Sequence, residues 1–355
     1  MSATASPSET QTLWTLEAWR GLAAWMVVFA HCQSLFSSDV PILRFTFTGV
    51  DLFFVLSGFV FAPYLFGRSL EVAPFAIRRF FRIYPAYFVA LMVYAALRIL
   101  SGQDLAYWWQ HLLFLHLQSR EMAFYYNPAF WSLPPEVEFY LALPVLAWIC
   151  LKGQARFAAL FAFALLARLW LGDQSDQSAA NRAFIWMHHL PGMLLEFLFG
   201  AIAWRFSQHL KHDLTRLAVF AAGVVGWLAL AGFFARFGDV GINAGWARGQ
   251  MSWLAALTFS AMVAATAQPP REAPQTVINV ALWAGRLSYG TYLLHIAALR
   301  LVEPYAKTVG GPLAAAMVCG LTLLGAWLLY QLWEDPCRKF GRRLAKQVAA
   351  SKRPS

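Results

Sequence analysis

The feature that most constrains the fold is a repeated apolar stretch, each copy close to the length that crosses a bilayer. A helix needs about 20 apolar residues to span the hydrocarbon core. The chain has 355 residues, 59% of them hydrophobic and 13% charged, whereas a soluble domain carries about 25% charged residues. We therefore predict an all-α polytopic membrane protein with about ten transmembrane helices around a central polar cavity. The predicted spans cover residues 13–36, 46–67, 83–100, 131–151, 157–172, 184–206, 215–235, 248–267, 281–302 and 312–333.

The basic residues give these spans an orientation. With the N-terminus in the cytoplasm, 19 of the 28 Lys and Arg residues fall on the inner side and nine on the outer side. This is the positive-inside bias of membrane proteins, and it predicts that both termini are cytoplasmic. It also explains the net charge of +10 without nucleic acid as a partner.

The chain divides simply. We predict a short disordered tail at 1–12, a single transmembrane domain at 13–335 and a basic cytoplasmic tail at 336–355. The four cysteines show no metal-ligand spacing, so we expect no metal site. The outward segment 101–130 contains the run WWQHLLFLHL, which is too short to span. It is read as an interfacial or re-entrant helix, serving either as an aromatic belt or as a wall of a binding site.

The first span carries Arg20 and His31, eleven residues apart. Eleven residues make about three helical turns, so both side chains share one face, roughly 16 Å apart along the axis. A histidine inside a membrane is costly unless it faces a protein interior or a wet cavity, which makes His31 a functional candidate. The alternative is a histidine that only hydrogen-bonds a neighbour at the helix end.

The second span carries Asp51, together with Gly49 and Gly58. An intramembrane carboxylate needs a partner. Asp51 is interpreted as joining this span to a neighbouring helix or, alternatively, as orienting a catalytic group. The two glycines permit close helix approach.

Arg79 and Arg82 lie three residues apart at the start of the third span, with Arg78 beside them. On a helix the two share a face, and guanidinium groups bind phosphate bidentately. The cluster therefore indicates either a phosphate-bearing ligand or simple anchoring at the inner membrane surface.

Two further spans bring titratable groups. Glu136 and Glu138 open the fourth span, and because they point about 200° apart, only one of them needs to face a polar interior. Ser288, Tyr292 and His295 in the ninth span have spacings of four and three, which place them along one face.

These residues lie in segments that resemble a known family. The segments LEAWRGLAAWMVVFAH, GVDLFFVLSGF, RRFFRIYP, WSLPPEVEFY, LSYGTYLLHIA and WEDPCRKFGRRL occur in the order seen in the membrane-bound acyltransferase-3 family, which includes bacterial O-antigen and exopolysaccharide O-acetylases. The resemblance covers nearly the whole chain. One departure is Val137, where family members often have a second glutamate.

The resemblance implies a multi-pass protein of the bacterial inner membrane that uses cytoplasmic acyl-CoA. The acyl group, commonly acetyl, goes to a hydroxyl of a carbohydrate or lipid-linked sugar. The functional positions that carry over are Arg20, His31, Arg79, Arg82 and Glu136, with His295 and Glu334 in less defined roles.

A mechanism follows as a hypothesis. His31 takes the proton of the acceptor hydroxyl, with Glu136 or Asp51 orienting its ring. Tyr292 or His295 donates to the thioester oxyanion, and the arginines bind the phosphates of acetyl-CoA. A route through an acylated His31 is equally consistent. The rival function is a transporter or flippase of a lipid-linked sugar, which would use the same polar groups.

Overall fold

The computed structural model describes residues 7–36, 38, 40–151, 153–174, 182–237, 246–268 and 273–351, and the side chains of most of them. Ten long helices, α1 to α10, occur in these ranges, and an eleventh, α11, follows at the C-terminal end. Their bounds are α1 Pro7–Cys32, α2 Gly49–Leu65, α3 Val72–Leu100, α4 Leu133–Cys150, α5 Gln154–Gln174, α6 Leu190–Ser207, α7 Asp213–Phe237, α8 Trp246–Thr266, α9 Gln275–Val302, α10 Gly311–Leu329 and α11 Asp335–Ser351.

The all-α polytopic architecture is confirmed, because each of the ten predicted spans coincides with one long helix. Judged by length and composition alone, seven helical segments in the described ranges are long and apolar enough to cross a membrane. The predicted start of the third span is eleven residues too late, since α3 begins at Val72. Pro85 therefore lies inside α3 rather than in its first turn. Similarly, the first helix begins at Pro7, within the segment predicted as a tail.

Small residues bring the helices of the bundle close together. A Cβ on Gly58 would lie 1.8 Å from the carbonyl oxygen of Phe197, and one on Gly200 would lie 2.0 Å from that of Val55. Helices α2 and α6 therefore cross in direct backbone contact, as the sequence predicted for Gly58. The pair α1 and α9 packs as closely, with Gly285 against the backbone and side chain of Glu17.

Helix α11 folds back against α3 instead of leaving the bundle. A five-residue π-helical turn, Tyr330–Glu334, joins α10 to α11. A Cβ on Gly341 would lie 2.4 Å from Cβ of Phe81, and the ring of Phe340 packs on that of Phe81 at 5.2 Å. The basic C-terminal segment thus lies beside the stretch of α3 that holds Arg79 and Arg82.

The segment 101–130 is compact and has a histidine stack as its centre. Its helices are only Trp108–Leu112 and Arg120–Phe124, so the predicted interfacial helix is much shorter than the run WWQHLLFLHL. The rings of His111 and His116 are fully buried and stack 4.1 Å apart at an angle of 6°. Burial lowers the pKa of His111 to about 3 and that of His116 to about 4, so both rings are neutral near pH 7.

Candidate functional site

A polar cavity passes between five of the long helices and has about 720 Å³ of empty space, including its open mouth. The lining changes along the helices. Arginines lie at one end of the cavity, and tyrosine and serine side chains lie at the other. The lining residues used below are Arg20 of α1, Ser57 and Phe61 of α2, Arg79 and Arg82 of α3, Ser132, Glu136 and Tyr140 near or in α4, and Ser288, Tyr289 and Tyr292 of α9. The predicted central polar cavity is present, and α3 also contributes to it.

Three arginines form one end of the cavity. Arg20 pairs with Glu17 at 2.6 Å. The guanidinium of Arg79 lies 5.1 Å from the ring centre of Phe61 and 5.8 Å from that of Tyr140. Its Nε is buried without a hydrogen-bond partner in the described part of the chain. The Arg79 and Arg82 side chains face the cavity together, as their spacing predicts, whereas Arg78 does not line it.

Arg82 also lies among acidic groups. The carboxylates of Glu17, Glu136 and Glu334 all act on it electrostatically. Glu334 is 2% exposed and ends the π-helical turn. Turns of this kind are frequent at functional sites. Glu334, carried over from the family resemblance without a defined role, is therefore placed beside an arginine of the cavity.

Glu136 lies midway along the cavity and is held by two hydroxyls. Tyr140 donates a hydrogen bond to its Oε1, and Ser57 Oγ donates to the same oxygen at 3.3 Å. Tyr140 follows Glu136 by four residues, so a helical wheel could have found this pair. None of the contacts of Glu136 in the described structure is to His31, so the prediction that Glu136 orients the imidazole has no geometric support.

Tyr292 closes the end of the cavity opposite the arginines. Its hydroxyl lies 2.5 Å from the carbonyl oxygen of Ala129, and Ser132 Oγ lies 2.5 Å from the same hydroxyl. Ser132 Oγ also lies 3.3 Å from the Ala129 carbonyl oxygen. The single phenol proton is therefore used either toward Ala129 or toward Ser132, which then donates to Ala129. Tyr292 is therefore already committed as a donor, which argues against its predicted role at the oxyanion.

His31 lies beyond Tyr292 and is fixed by two contacts. Its Nδ1 donates to the Val27 carbonyl oxygen at 2.9 Å, and Nε2 of His295 lies 3.3 Å from the same nitrogen. The Nδ1 of His295 in turn donates to the Tyr292 carbonyl oxygen at 2.8 Å. Carbonyls can only accept, so both rings carry their proton on Nδ1, as assigned from this network.

This assignment has a chemical consequence. In the neutral ring, Nε2 of His31 is unprotonated and makes no hydrogen bond within the described structure. It is the nitrogen that can accept a proton or attack an acyl carbon. His295, which uses Nε2 as an acceptor toward His31, positions that ring and is not a free oxyanion donor.

Similarity to known proteins agrees with these features. The profile of a family described as "Acyltransferase domain" matches residues 13–331. The chain belongs to this acyltransferase family. It is 26% identical to the peptidoglycan O-acetyltransferase OatA of Listeria monocytogenes over 83% of this chain and 52% of that protein. It is also 30% identical to Nodulation protein 10 of Rhizobium leguminosarum bv. viciae, over 41% of this chain and 47% of that protein.

The chain spans about half the length of these relatives. No solved structure matches it. The resemblance noted from the sequence motifs is therefore confirmed at the level of the family.

Asp51 lies away from the imidazoles. It is 2% exposed and lies beside Arg168 of α5, Glu196 of α6 and Ser252 of α8. The guanidinium of Arg168 is 3.7 Å from Glu196 Oε1 and donates to the Gly192 carbonyl oxygen at 2.9 Å. Asp51 thus joins helices, which was the first of its two interpretations. Its proposed contact with His31 is not formed.

Sequence reasoning missed Arg168 and Glu196, both buried almost completely. The available signal was a single charge within each of two apolar runs, LLARLWL and LLEFLFG. Two such charges on different spans need each other as partners.

Glu138 also turns away from the cavity. Its carboxylate accepts from His189 Nδ1 at 2.5 Å and from the backbone N–H of Leu190 at 2.7 Å, where α6 begins. The other ring nitrogen of His189 donates to the carbonyl oxygen of Leu117 at 3.1 Å. Both ring nitrogens therefore face acceptors, which makes His189 an imidazolium. As predicted, only one of the two glutamates faces the polar interior.

No group of three or more His, Cys, Asp or Glu side chains that could hold a metal occurs among the described residues.

Proposed function

We propose that this protein is an integral membrane O-acyltransferase that moves an acyl group, in the simplest case acetyl, from acyl-CoA to a hydroxyl of a cell-envelope carbohydrate or glycolipid. Membership of the acyltransferase family supports transfer over transport. One arrangement carries the proposal. Arginines form one end of the cavity, and toward the opposite end of the same two helices, α1 and α9, lies an imidazole whose Nε2 makes no hydrogen bond in the described structure.

The donor would lie along the cavity. Phosphates of the CoA would bind Arg79 and Arg82, which suit bidentate contact with phosphate oxygens. The pantetheine arm carries two amide N–H groups, and the Glu136 carboxylate lies on its path. The acyl end would lie against Phe53 and Tyr292, whose rings pack edge to face with their centres 5.6 Å apart, and these rings would have to move for it to reach the histidine pair.

The transfer itself needs one base. His31 Nε2 takes the hydroxyl proton while the hydroxyl oxygen attacks the thioester carbon. The tetrahedral oxyanion then collapses with cleavage of the C–S bond, and the imidazolium returns the proton to the leaving CoA sulfur. The products are an acyl ester and free CoA thiol. His295 and the Val27 carbonyl hold the ring in the tautomer that this step requires.

The orientation belongs to the proposal as well. The arginine end of the cavity lies on the side where the basic residues of the inner loops and of α11 collect. From the positive-inside bias we infer that this end, and both termini, would face the cytoplasm of a bacterial cell. Cytoplasmic acyl-CoA then enters from the arginine side, and His31 lies toward the outer face.

The test uses the detergent-solubilised full chain. Release of CoA thiol from acetyl-CoA is measured with envelope glycans as acceptor, for the unchanged protein, His31→Gln and His212→Gln. His212 is exposed and outside the cavity, so it is the matched control. His31→Gln should lose at least about a hundredfold in rate, while acetyl-CoA binding and the control stay unchanged. Substantial turnover by His31→Gln would remove His31 from the mechanism. An unchanged protein that neither binds nor cleaves acetyl-CoA would favour a carrier.

A further inference from the structure

A second cavity opens where α2 and α6 end and α4 turns into α5. It has about 800 Å³ of empty space, including its mouth. Its lining includes three aromatic rings, two glycines, one guanidinium and the aliphatic, thiol and amide side chains of neighbouring residues, and the residues that matter here are Phe66, Gly67, Gly153, Phe157, Trp204 and Arg205. The catalytic scheme above uses none of them.

Three aromatic rings form its wall. The ring of Phe66 stacks on that of Trp204 at 5.8 Å and 11°, and the ring of Phe157 approaches Phe66 at 4.9 Å. All three side chains are half-buried, so part of each ring faces the cavity. Ring surfaces presented in this way bind planar heteroaromatic groups, because every nucleobase has a π-face.

Arg205 supplies a cation at the same place. Its guanidinium lies 5.3 Å from the ring centre of Phe66. No hydrogen bond or ion pair occupies it in the part of the chain that the structure describes. Its N–H groups therefore remain available for an anion such as a phosphate.

Two glycines keep the mouth open. Gly67 has φ of +112° and Gly153 has φ of +125°, both in the left-handed region, and a Cβ on either would meet nothing within 4 Å. Each lies where one wall of the cavity turns from helix into loop. Backbone conformations of this kind favour glycine, and they leave room for a ligand to approach the main chain closely.

The second cavity is next to the arginine end of the first. Phe61 lines the first cavity and Leu65 the second, and four residues of α2 correspond to about 6 Å of rise. Arg68 lies over the ring of Tyr64 at 5.6 Å, on the same stretch of chain. The two linings therefore come within about one helical turn of each other along α2.

We propose that the second cavity binds the nucleotide end of the acyl donor, with its adenine against Phe66 and Trp204 and a phosphate on Arg205. This inference rests on the proposed function, since it assumes acyl-CoA as the donor. The donor would then bind at two points on one surface, the base here and the diphosphate at Arg79 and Arg82. A phospholipid headgroup is the competing occupant, and the donor comparison below separates the two.

The experiment compares acetyl-CoA with acetyl-pantetheine, which has the same acyl arm and no nucleotide. Steady-state transfer is measured for the unchanged protein, Trp204→Leu, Arg205→Gln and the control Trp170→Leu. Trp170 is 63% exposed on α5 and does not line either cavity.

Both cavity variants should raise KM for acetyl-CoA roughly tenfold and leave kcat/KM for acetyl-pantetheine unchanged. Adenosine 3′,5′-bisphosphate should compete with acetyl-CoA in the unchanged protein and more weakly in the variants. If both donors change alike, or neither changes, the second cavity does not bind the nucleotide, and a lipid or structural role replaces this inference while the proposed function stands. If the unchanged protein turns over neither donor, both proposals fail together.

Discussion

The glutamates at positions 136 and 138 offer a sharp test. The same Glu-to-Gln substitution, made at two sites two residues apart, should reduce activity at one and stability at the other. Glu136 faces the cavity and holds two hydroxyls, whereas Glu138 faces His189 and the first turn of α6. Glu136→Gln removes a charged acceptor from the donor path. A hydrogen bond to a charged group contributes about 1.5–3 kcal/mol, so kcat/KM should fall by roughly 10- to 150-fold, with little change in thermal stability.

Glu138→Gln should instead destabilise the fold. It weakens one charge-assisted hydrogen bond and one helix-capping contact, and its side chain is 32% exposed, which reduces the effect. We expect a loss of about 1–3 kcal/mol, seen as a lower Tm in detergent, with near-normal transfer by the folded fraction.

The assay for both variants is transfer per folded molecule, with folded protein measured by size-exclusion chromatography and thermal melting. Equal loss of transfer in the two variants at equal folded amounts would refute the reasoning. So would a Glu136→Gln protein with the activity of the unchanged chain.

Two other predictions follow from the buried groups and the helix crossings. Because the folded pKa values of His111 and His116 lie near 3 and 4, below the unfolded value of about 6.5, the unfolded segment binds more protons below pH 6.5. Their contribution to stability is complete above that pH and is lost as the pH falls, by about 2 kcal/mol for each histidine at pH 5. Asp104, whose pKa is lowered by the Tyr125 hydroxyl and Arg98, adds a loss only near pH 4 and below. After correction for the intrinsic exchange rate at each pH, the protection factors of the amides in residues 101–130 should be lower at pH 5 than at pH 7.5, and equal protection factors would contradict this assignment. Gly58→Ala should sharply reduce the yield of folded protein, since its Cβ would lie 1.8 Å from a carbonyl oxygen. Gly320→Ala, with nothing within 4 Å, should leave Tm unchanged, and similar behaviour of the two variants would show that the α2–α6 contact can relax.

The fold was largely readable from the sequence because each span carries its own apolar signal. The errors were at the ends. The start of α3 was placed too late, because three arginines interrupt the apolar residues before Ile83, although the stretch is helical. This charged part of α3 packs against α11 and the cavity. Its length is set by those contacts and not by the thickness of the bilayer.

The site was less predictable, since spacing shows which face a residue occupies but not its partner. Spacing placed Arg79 and Arg82 on a common face, and both line the cavity. It also grouped Ser288, Tyr292 and His295, yet the cavity lining stops at Tyr292. The partners of Asp51 lie on α5 and α6, more than a hundred residues along the chain. No local pattern could have identified that association.

Helices α1 and α9 connect the two ends of the proposed reaction. Glu17 packs on Gly285, where it also pairs with Arg20, and about four turns further along α1 and three turns further along α9 His31 meets His295. Because α1 and α9 are in backbone contact at Gly285, a shift of one helix against the other moves the arginine end and the imidazole pair together. In the proposed reaction, binding of a phosphate at Arg20 and the orientation of His31 would therefore depend on a single helix–helix interface. A substitution that widens this interface should weaken donor binding and slow proton transfer in the same variant.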